Sequence, residues 1–263
     1  MALLGGFMYY QNSISPAMIP QFTLTNGNQT IVFQAMSHIA SEDFYKNVSR
    51  NIRGYKQQWY VLYYEWVKPG SEKNSQDFND ALWINFEPKL YDNFSKLYWV
   101  VAQDNSDFLN IENNLDYNID INIDQIMEIY REKTAIWENS DKKYFLQSEG
   151  TQDMNAIIIN QLAALNDRQL TALRYINQSL LNFMIKQENL RNLIVEKVAN
   201  RDLFSVILDS RNEHIISEIT ARWDEKIVVI YGLMHFEWVF KLLQQQDPNW
   251  EIINTNYSQL ITR

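Results

Sequence analysis

The sequence contains no cysteine among its 263 residues. Disulfides, zinc–thiolate sites, iron–sulfur clusters and a cysteine nucleophile are therefore excluded. Histidine is also scarce, because the chain has only His38, His214 and His235. Any metal site would have to be built from these imidazoles together with Asp and Glu side chains.

Positive charge and long apolar runs are in short supply as well. Lys and Arg number 23 against 32 Asp and Glu, which gives a formal charge of −9 and argues against a surface that binds nucleic-acid backbones. The apolar start, Met1–Tyr10, is far shorter than the roughly 20 residues that span a bilayer. We expect residues 1–28 to form an N-terminal segment that either packs on the domain or lies near a membrane.

What the sequence does contain is enough apolar surface for a sizeable core. Hydrophobic residues make up 46% and aromatic residues 14% of the chain, so the chain is expected to fold rather than to remain disordered. Residues 29–263 are expected to form a single domain.

Apolar runs alternate with helical periodicity in both halves of the chain. Thr30–Met36 and Trp59–Glu65 are predicted strands, and Ser41 is the predicted N-cap of the helix between them, which makes a parallel βαβ unit. Ile227–Tyr231 is typical of a buried strand, and Trp250–Ile253 of a last strand. Helical periodicity from about 154 to 223 indicates a helical insertion. It contains two predicted apolar stripes, one formed by Leu170, Leu173, Ile176, Leu180 and Met184 and the other by Leu190, Leu193, Ile194 and Val198. The predicted fold is mixed α/β (α+β), with a central, largely parallel sheet, peripheral helices and a long helical layer in the middle of the chain.

The sharpest local feature is a pattern that occurs at two predicted strand ends. One strand runs into Ala35-Met-Ser-His38, and the other runs into Gly232-Leu-Met-His235. The carboxyl ends of parallel strands share one crevice, so the two histidines are expected to meet there. Glu65 ends a third apolar strand, and such a charge must be solvated in a cleft, paired or bound to a metal.

Arg211 is the fourth candidate. It precedes Ile215 and Ile219 at helical spacing, which places it at the edge of a buried helix face. Its guanidinium could hold a substrate carboxylate or stabilise an oxyanion. An ion pair that fixes the helix against the sheet is the structural alternative.

In this order, the Ala35–His38 motif, Glu65, the Arg211-Asn212 pair and the Gly232–His235 motif resemble the TraB/PrgY–Tiki family. The resemblance covers most of Gln29–Asn249. It implies a cleft lined by the two histidines, the glutamate and the arginine, in a family that includes proteins described as metal-dependent proteases. Ala35 departs from the family, which usually has Gly there, and this matters if the position requires a positive φ angle.

The resulting hypothesis is a metal-dependent hydrolase, most simply a peptidase acting on a peptide or small-molecule substrate. His38, Glu65 and His235 would bind a divalent ion such as Mn, Co or Zn, whose bound water attacks the substrate, while Arg211 stabilises the oxyanion. A metal-free version, in which one histidine activates water, stays open. A non-catalytic protein that sequesters a peptide or cofactor in the same cleft is the alternative, and a degenerate scaffold is suggested only by Ala35.

Overall fold

The computed structural model of the chain describes residues 2–82, 89–138, 154–187, 201–221 and 226–262. Within them lies a six-stranded sheet in the order β6-β4-β7-β2-β1-β8, and a two-stranded sheet of β3 and β5. The strands are β1 (Met18–Thr25), β2 (Thr30–Met36), β3 (Ile39–Ala40), β4 (Val61–Tyr64), β5 (Val101–Ala102), β6 (Asp116–Asn118), β7 (Ile227–Gly232) and β8 (Glu251–Gln259).

The helices surround the larger sheet and fill the middle of the chain. They are α1 (Ala2–Tyr9), α2 (Glu42–Lys56), α3 (Glu72–Leu82), α4 (Leu90–Tyr98), α5 (Ile123–Glu138), α6 (Met154–Ala163), α7 (Asp167–Lys186), α8 (Arg201–Thr220) and α9 (Phe236–Gln246). The predicted mixed fold with a largely parallel central sheet is confirmed.

Four strands, β6, β4, β7 and β2, are parallel neighbours in the sheet. The predicted βαβ unit is present, because α2 connects β2 to β4. However, β7 lies between these two strands and pairs with both. Three strands from distant parts of the sequence therefore end side by side at one edge of the sheet.

The remaining two strands of the larger sheet are antiparallel. β1 pairs with β2 on one side and with β8 on the other. Residues 18–25 belong to the N-terminal segment of the sequence analysis, yet they form an inner strand of the sheet. The predicted last strand at Trp250–Ile253 is present and continues to Gln259.

Local chemistry explains where α2 begins. The Ser41 hydroxyl accepts a hydrogen bond from the Phe44 backbone N–H at 3.4 Å, as predicted for an N-cap. Glu42 and Asp43 lie in the first turn, where acidic side chains stabilise the helix dipole. Phe44, Val48 and Ile52 then face the sheet and are buried.

Two hydrophobic clusters hold the described residues together. The larger lies between the sheet and α2, α8 and α9, and it includes the whole apolar run of β7. The smaller is formed by side chains of α3, α5 and α8, such as Phe78, Ile126 and Val206. Helix α8 contributes to both clusters, which fixes its position against the strand ends.

The helical region from about 154 to 223 contains α6, α7 and α8. The predicted apolar stripe on α7, however, is not the buried face of that helix. Leu180 of the predicted apolar stripe on α7 is 44% exposed, whereas Gln178, Ser179 and Asn182 are buried. The second predicted stripe, around Leu193, lies outside the described residues.

The buried polar face of α7 holds the N-terminal segment. Asn12 donates to the Ser179 hydroxyl at 2.7 Å, and Asn182 accepts from the Ala17 N–H at 2.8 Å. Phe7 packs edge-on against Phe183. Of the helices described, none has both the length and the apolar character needed to cross a membrane.

Candidate functional site

Each of the four parallel strands delivers a polar side chain to the same edge of the sheet. His38 follows β2, Glu65 follows β4, Asp120 follows β6 and His235 follows β7. Arg211 reaches this edge from α8. The sequence predicted four of these five residues, and the structure brings those four together with Asp120.

Arg211 is the centre of the cluster. Its Nη2 hydrogen-bonds Glu65 Oε1, while its Nε and Nη2 reach the two Asp120 oxygens at 2.8 and 2.9 Å. The side chain is only 8% exposed, and that of Asp120 is fully buried. The structural alternative for Arg211 is therefore present, since the guanidinium ties α8 to the ends of β4 and β6.

Two buried carboxylates, those of Glu65 and Asp120, share this one guanidinium, and their pKa values shift in opposite directions. Burial raises the pKa of Asp120 above its ordinary value despite the contact with Arg211. Burial also acts to raise the pKa of Glu65, but Arg211, His38 and His235 outweigh it and lower the pKa of Glu65 to about 2. Glu65 is therefore ionised at neutral pH.

The Glu65 carboxylate uses both of its oxygens within the protein. Oε1 accepts from Arg211, and Oε2 accepts from the Gly232 N–H at 2.6 Å. A Cβ atom at Gly232 would lie 3.3 Å from Oε2, so glycine permits this close approach. The requirement at Gly232 is space, because its φ angle is −52°.

Ala35 does not face the same requirement. It lies in β2 opposite Tyr231 of β7 and is fully buried. It is not among the described residues with a positive φ angle. An alanine therefore fits this position without backbone strain.

His235 is buried beside this cluster, with 4% of its surface exposed. Its Nδ1 lies 2.7 Å from Asn212 Oδ1, and its ring packs edge-on against Tyr231 at 4.7 Å between centroids. Burial, followed by the positive charge of Arg211, lowers the pKa of His235 to about 3. The imidazole is therefore neutral at pH 7.

His38, unlike His235, is an exposed residue. Its ring packs against Tyr91 at 4.6 Å between centroids. Desolvation by the surrounding protein lowers the pKa of His38 although Glu65 opposes this.

A short segment after β5 holds the backbone of two site residues. The Gln103 N–H donates to the His38 carbonyl at 2.9 Å, and Asn105 Nδ2 donates to the Glu65 carbonyl at 3.0 Å. Gln103 Nε2 in turn donates to Asn105 Oδ1 at 2.7 Å. These bonds fix the distance between the ends of β2 and β4.

Sequence reasoning did not find Asp120 or Tyr231. The Tyr231 hydroxyl donates to Asp120 Oδ1 at 2.8 Å and lies 3.2 Å from Arg211 Nε. Asp120 follows a strand of only three residues, in a stretch that is rich in Asn and Asp. Its position two residues after β6 is the signal that a complete strand assignment would have provided.

A divalent ion would need several ligand atoms from this cluster. Within the described part of the chain, no three His, Asp or Glu side chains are grouped so that they could hold an ion. Both Glu65 oxygens have protein partners, and His235 Nδ1 faces Asn212. The arrangement as it stands does not fit a three-ligand site, and metal binding by His38, Glu65 and His235 stays a prediction.

Comparison with protein-family models, with curated proteins and with solved structures found no match for this chain. The resemblance to the TraB/PrgY–Tiki family therefore stays a prediction based on the ordered motifs.

Proposed function

We propose that this chain is a hydrolase that cleaves peptide or related amide bonds in the cleft at the carboxyl ends of β2, β4, β6 and β7. The observation that carries the proposal is the pairing of a buried, neutral His235 with an ionised Glu65–Arg211 pair. A neutral imidazole can take a proton from water, and a fixed guanidinium can stabilise developing negative charge.

The proposed reaction uses water as the nucleophile. The water oxygen attacks the substrate carbonyl carbon while His235 Nε2 accepts one of its protons. Collapse of the tetrahedral intermediate breaks the C–N bond, and the imidazolium returns that proton to the leaving amine. The products are a carboxylate and an amine, with no other reactant required.

Arg211 is suited to stabilise the oxyanion. Its Nε and Nη2 are held by Asp120 and Glu65, and among the described residues Nη1 has no hydrogen-bond partner. These bonds hold the guanidinium plane fixed before substrate arrives, so little reorganisation is needed during the reaction. Tyr231 and Asp120 act on the substrate only through Arg211.

His38 occupies the side from which substrate enters. Its exposed ring, packed on Tyr91, can contact the substrate or donate a hydrogen bond to it. We assign it substrate binding rather than proton transfer from the attacking water.

A metal-dependent version is the second form of the same proposal. Imidazole nitrogens and carboxylate oxygens are groups that bind divalent cations, and His38, Glu65 and His235 follow neighbouring strands of the sheet. His38, Glu65 and His235 would hold the ion, which lowers the pKa of a bound water. Glu65 would then have to release one of its present partners.

The experiment that tests the proposal is peptide cleavage by the purified chain. A mixed peptide library is incubated with untreated protein and with protein treated with a chelator, and the products are read by mass spectrometry. The metal-free form predicts equal cleavage in both, whereas the metal-dependent form predicts loss with chelator and recovery with Mn, Co or Zn.

Two variants separate catalysis from other roles of the protein. His235→Ala should abolish cleavage, while His214→Ala, which removes the third imidazole, should leave it unchanged. Absence of cleavage by the wild-type chain, together with peptide binding that survives His235→Ala, would replace the hydrolase proposal by the non-catalytic binding alternative.

A further inference from the structure

The contact between Asn212 and His235 bears on which nitrogen of the imidazole ring carries the proton. Asn212 follows Arg211 on α8, is 1% exposed, and presents Oδ1 to His235 Nδ1 at 2.7 Å. A carbonyl oxygen can only accept a hydrogen bond. In this orientation Nδ1 must carry the proton, and Nε2 is left with its lone pair.

The Asn212 side chain makes only part of the hydrogen bonds that its amide group could make. Its Nδ2 is buried and has no hydrogen-bond partner among the described residues. A buried donor without a partner costs roughly 1–3 kcal/mol. The amide therefore gains little stability from this position beyond its single contact with the histidine.

The rest of the ring is also held. Tyr231 contacts it edge-on at 4.7 Å between ring centroids, and a Cβ atom placed on Gly232 would lie 3.5 Å from its Cδ2. The ring therefore has packing on its sides and one directional polar partner. Among the described residues, Asn212 is the one polar partner of the ring, and it distinguishes the two nitrogens.

We infer that Asn212 is a positioning residue that fixes His235 as the Nδ1–H tautomer and directs the unprotonated Nε2 toward the substrate. This inference rests on the proposed hydrolase function for the role of Nε2, but the tautomer itself is a property of the protein without substrate. Asn212 does not touch the reacting atoms and acts only through the imidazole.

The reverse orientation of the amide makes the opposite prediction. If Nδ2 faced the ring, it would donate to Nδ1, and the proton would lie on Nε2. Nε2 would then be unable to accept a proton from water or to bind a cation. The two orientations therefore differ in a measurable way and in what the site can do.

The test is nitrogen-15 NMR of the substrate-free protein labelled on its histidine rings. The chain has only three histidines, so the signals of His235 are assigned by their loss in His235→Ala. We expect the wild-type spectrum to show the protonated nitrogen at Nδ1 and the unprotonated nitrogen at Nε2. A proton on Nε2 of wild-type His235 would overturn the inference without any variant.

Three variants of buried amides complete the test. Asn212→Asp retains an acceptor and should retain the Nδ1–H form, whereas Asn212→Leu should shift His235 toward the Nε2–H form. Asn212→Leu should also lower turnover about 10–100-fold, as the loss of similar partners of functional imidazoles does. Asn182→Leu removes a buried amide elsewhere and should leave the His235 signals unchanged.

The outcomes separate the two proposals. An unchanged tautomer in a folded Asn212→Leu protein would overturn the positioning role. Wild-type protein that shows the Nδ1–H form but cleaves no amide would overturn the hydrolase function and leave the tautomer assignment in place.

Discussion

The two strand ends that carry the histidines share a sequence pattern but differ in structure. At the end of β7, Gly232 donates its N–H to Glu65 and His235 is buried against Asn212 and Tyr231. At the end of β2, Ala35 is an ordinary strand residue and His38 is exposed. The end of β7 is built around the Glu65–Arg211 pair, whereas the end of β2 carries an exposed histidine.

Strand register explains the difference. Within the parallel pair β2–β7, Ala35 lies opposite Tyr231 and Met36 lies opposite Gly232. The two motifs are therefore offset by one residue in space, although they align in sequence. As a consequence Gly232, and not Ala35, is the position that meets the Glu65 carboxylate.

The largest expected effect is a loss of stability when the charge of Arg211, which holds the end of β7 together, is removed. Arg211→Met leaves Glu65 and Asp120 buried without their partner, which should cost about 3–5 kcal/mol of unfolding free energy. Urea denaturation measures this loss. A change below about 1 kcal/mol would show that Arg211 is not the anchor of this end.

A matched control for Arg211 is Lys56, a buried cation at the end of α2 that pairs with Asp116. Lys56→Met should also destabilise the fold, because Asp116 loses its partner. Under conditions where this variant is folded, it should keep its turnover, whereas Arg211→Met should not.

The next effect distinguishes the two histidines by catalysis. His235→Gln should lower turnover by about 10²–10⁴-fold, the range for loss of a general base. His38→Gln should act mainly on KM, since we assign it substrate contact. Steady-state kinetics on both variants decides this, and equal losses of kcat would make the two strand ends equivalent in function.

The pH dependence of stability gives a third comparison. The pKa of His235 is lowered from 6.5 to about 3 by burial, so the unfolded chain binds more protons than the folded one between these values. The stabilisation is complete above pH 6.5 and is lost as pH falls toward 3, with a slope approaching about 1.4 kcal/mol per pH unit. His235→Gln should flatten the unfolding free energy between pH 6.5 and 5, where the carboxylates contribute less.

His38→Gln is measured beside it. Burial also lowers the pKa of His38, so this variant shows how much of the slope belongs to the other shifted histidine. A wild-type protein whose stability is constant between pH 6.5 and 5 would contradict the burial of a neutral His235.

The smallest expected effect comes from exchanging the small residues of the two motifs. Gly232→Ala places a methyl group 3.3 Å from Glu65 Oε2 and should cost about 1 kcal/mol, the lower end of the range for overpacking. Ala35→Gly should cost roughly 0.5–1 kcal/mol from strand flexibility alone. Only Gly232→Ala should also reduce turnover, because only that position contacts Glu65.

Much of the fold could be predicted because local signals agree with long-range packing. The apolar runs of β2 and β7, the Ser41 N-cap and the helix after His235 each follow from a few neighbouring residues. The position of β7 between β2 and β4 could not, since it depends on pairing between residues almost 200 positions apart. The apolar period of α7 predicts a helix, but which face of that helix is buried depends on its hydrogen bonds to Asn12 and Ala17.

Those residues of the candidate site that follow a recognisable strand could be predicted from the sequence. His38, Glu65 and His235 follow recognisable strands, and parallel strands bring their ends to one edge. Asp120 follows a three-residue strand that carries no clear pattern. The roles of Tyr231 and Asn212 depend on side-chain contacts that only the folded chain defines.

The central claim is that water attacks an amide carbonyl in this cleft with His235 as its base. The most direct measurement is peptide cleavage in oxygen-18 water, with product masses read by mass spectrometry. The account predicts one labelled oxygen in each new carboxylate made by the wild-type chain and almost no product from His235→Gln. Cleavage that is unchanged in His235→Gln, or no cleavage by the wild type, would contradict it.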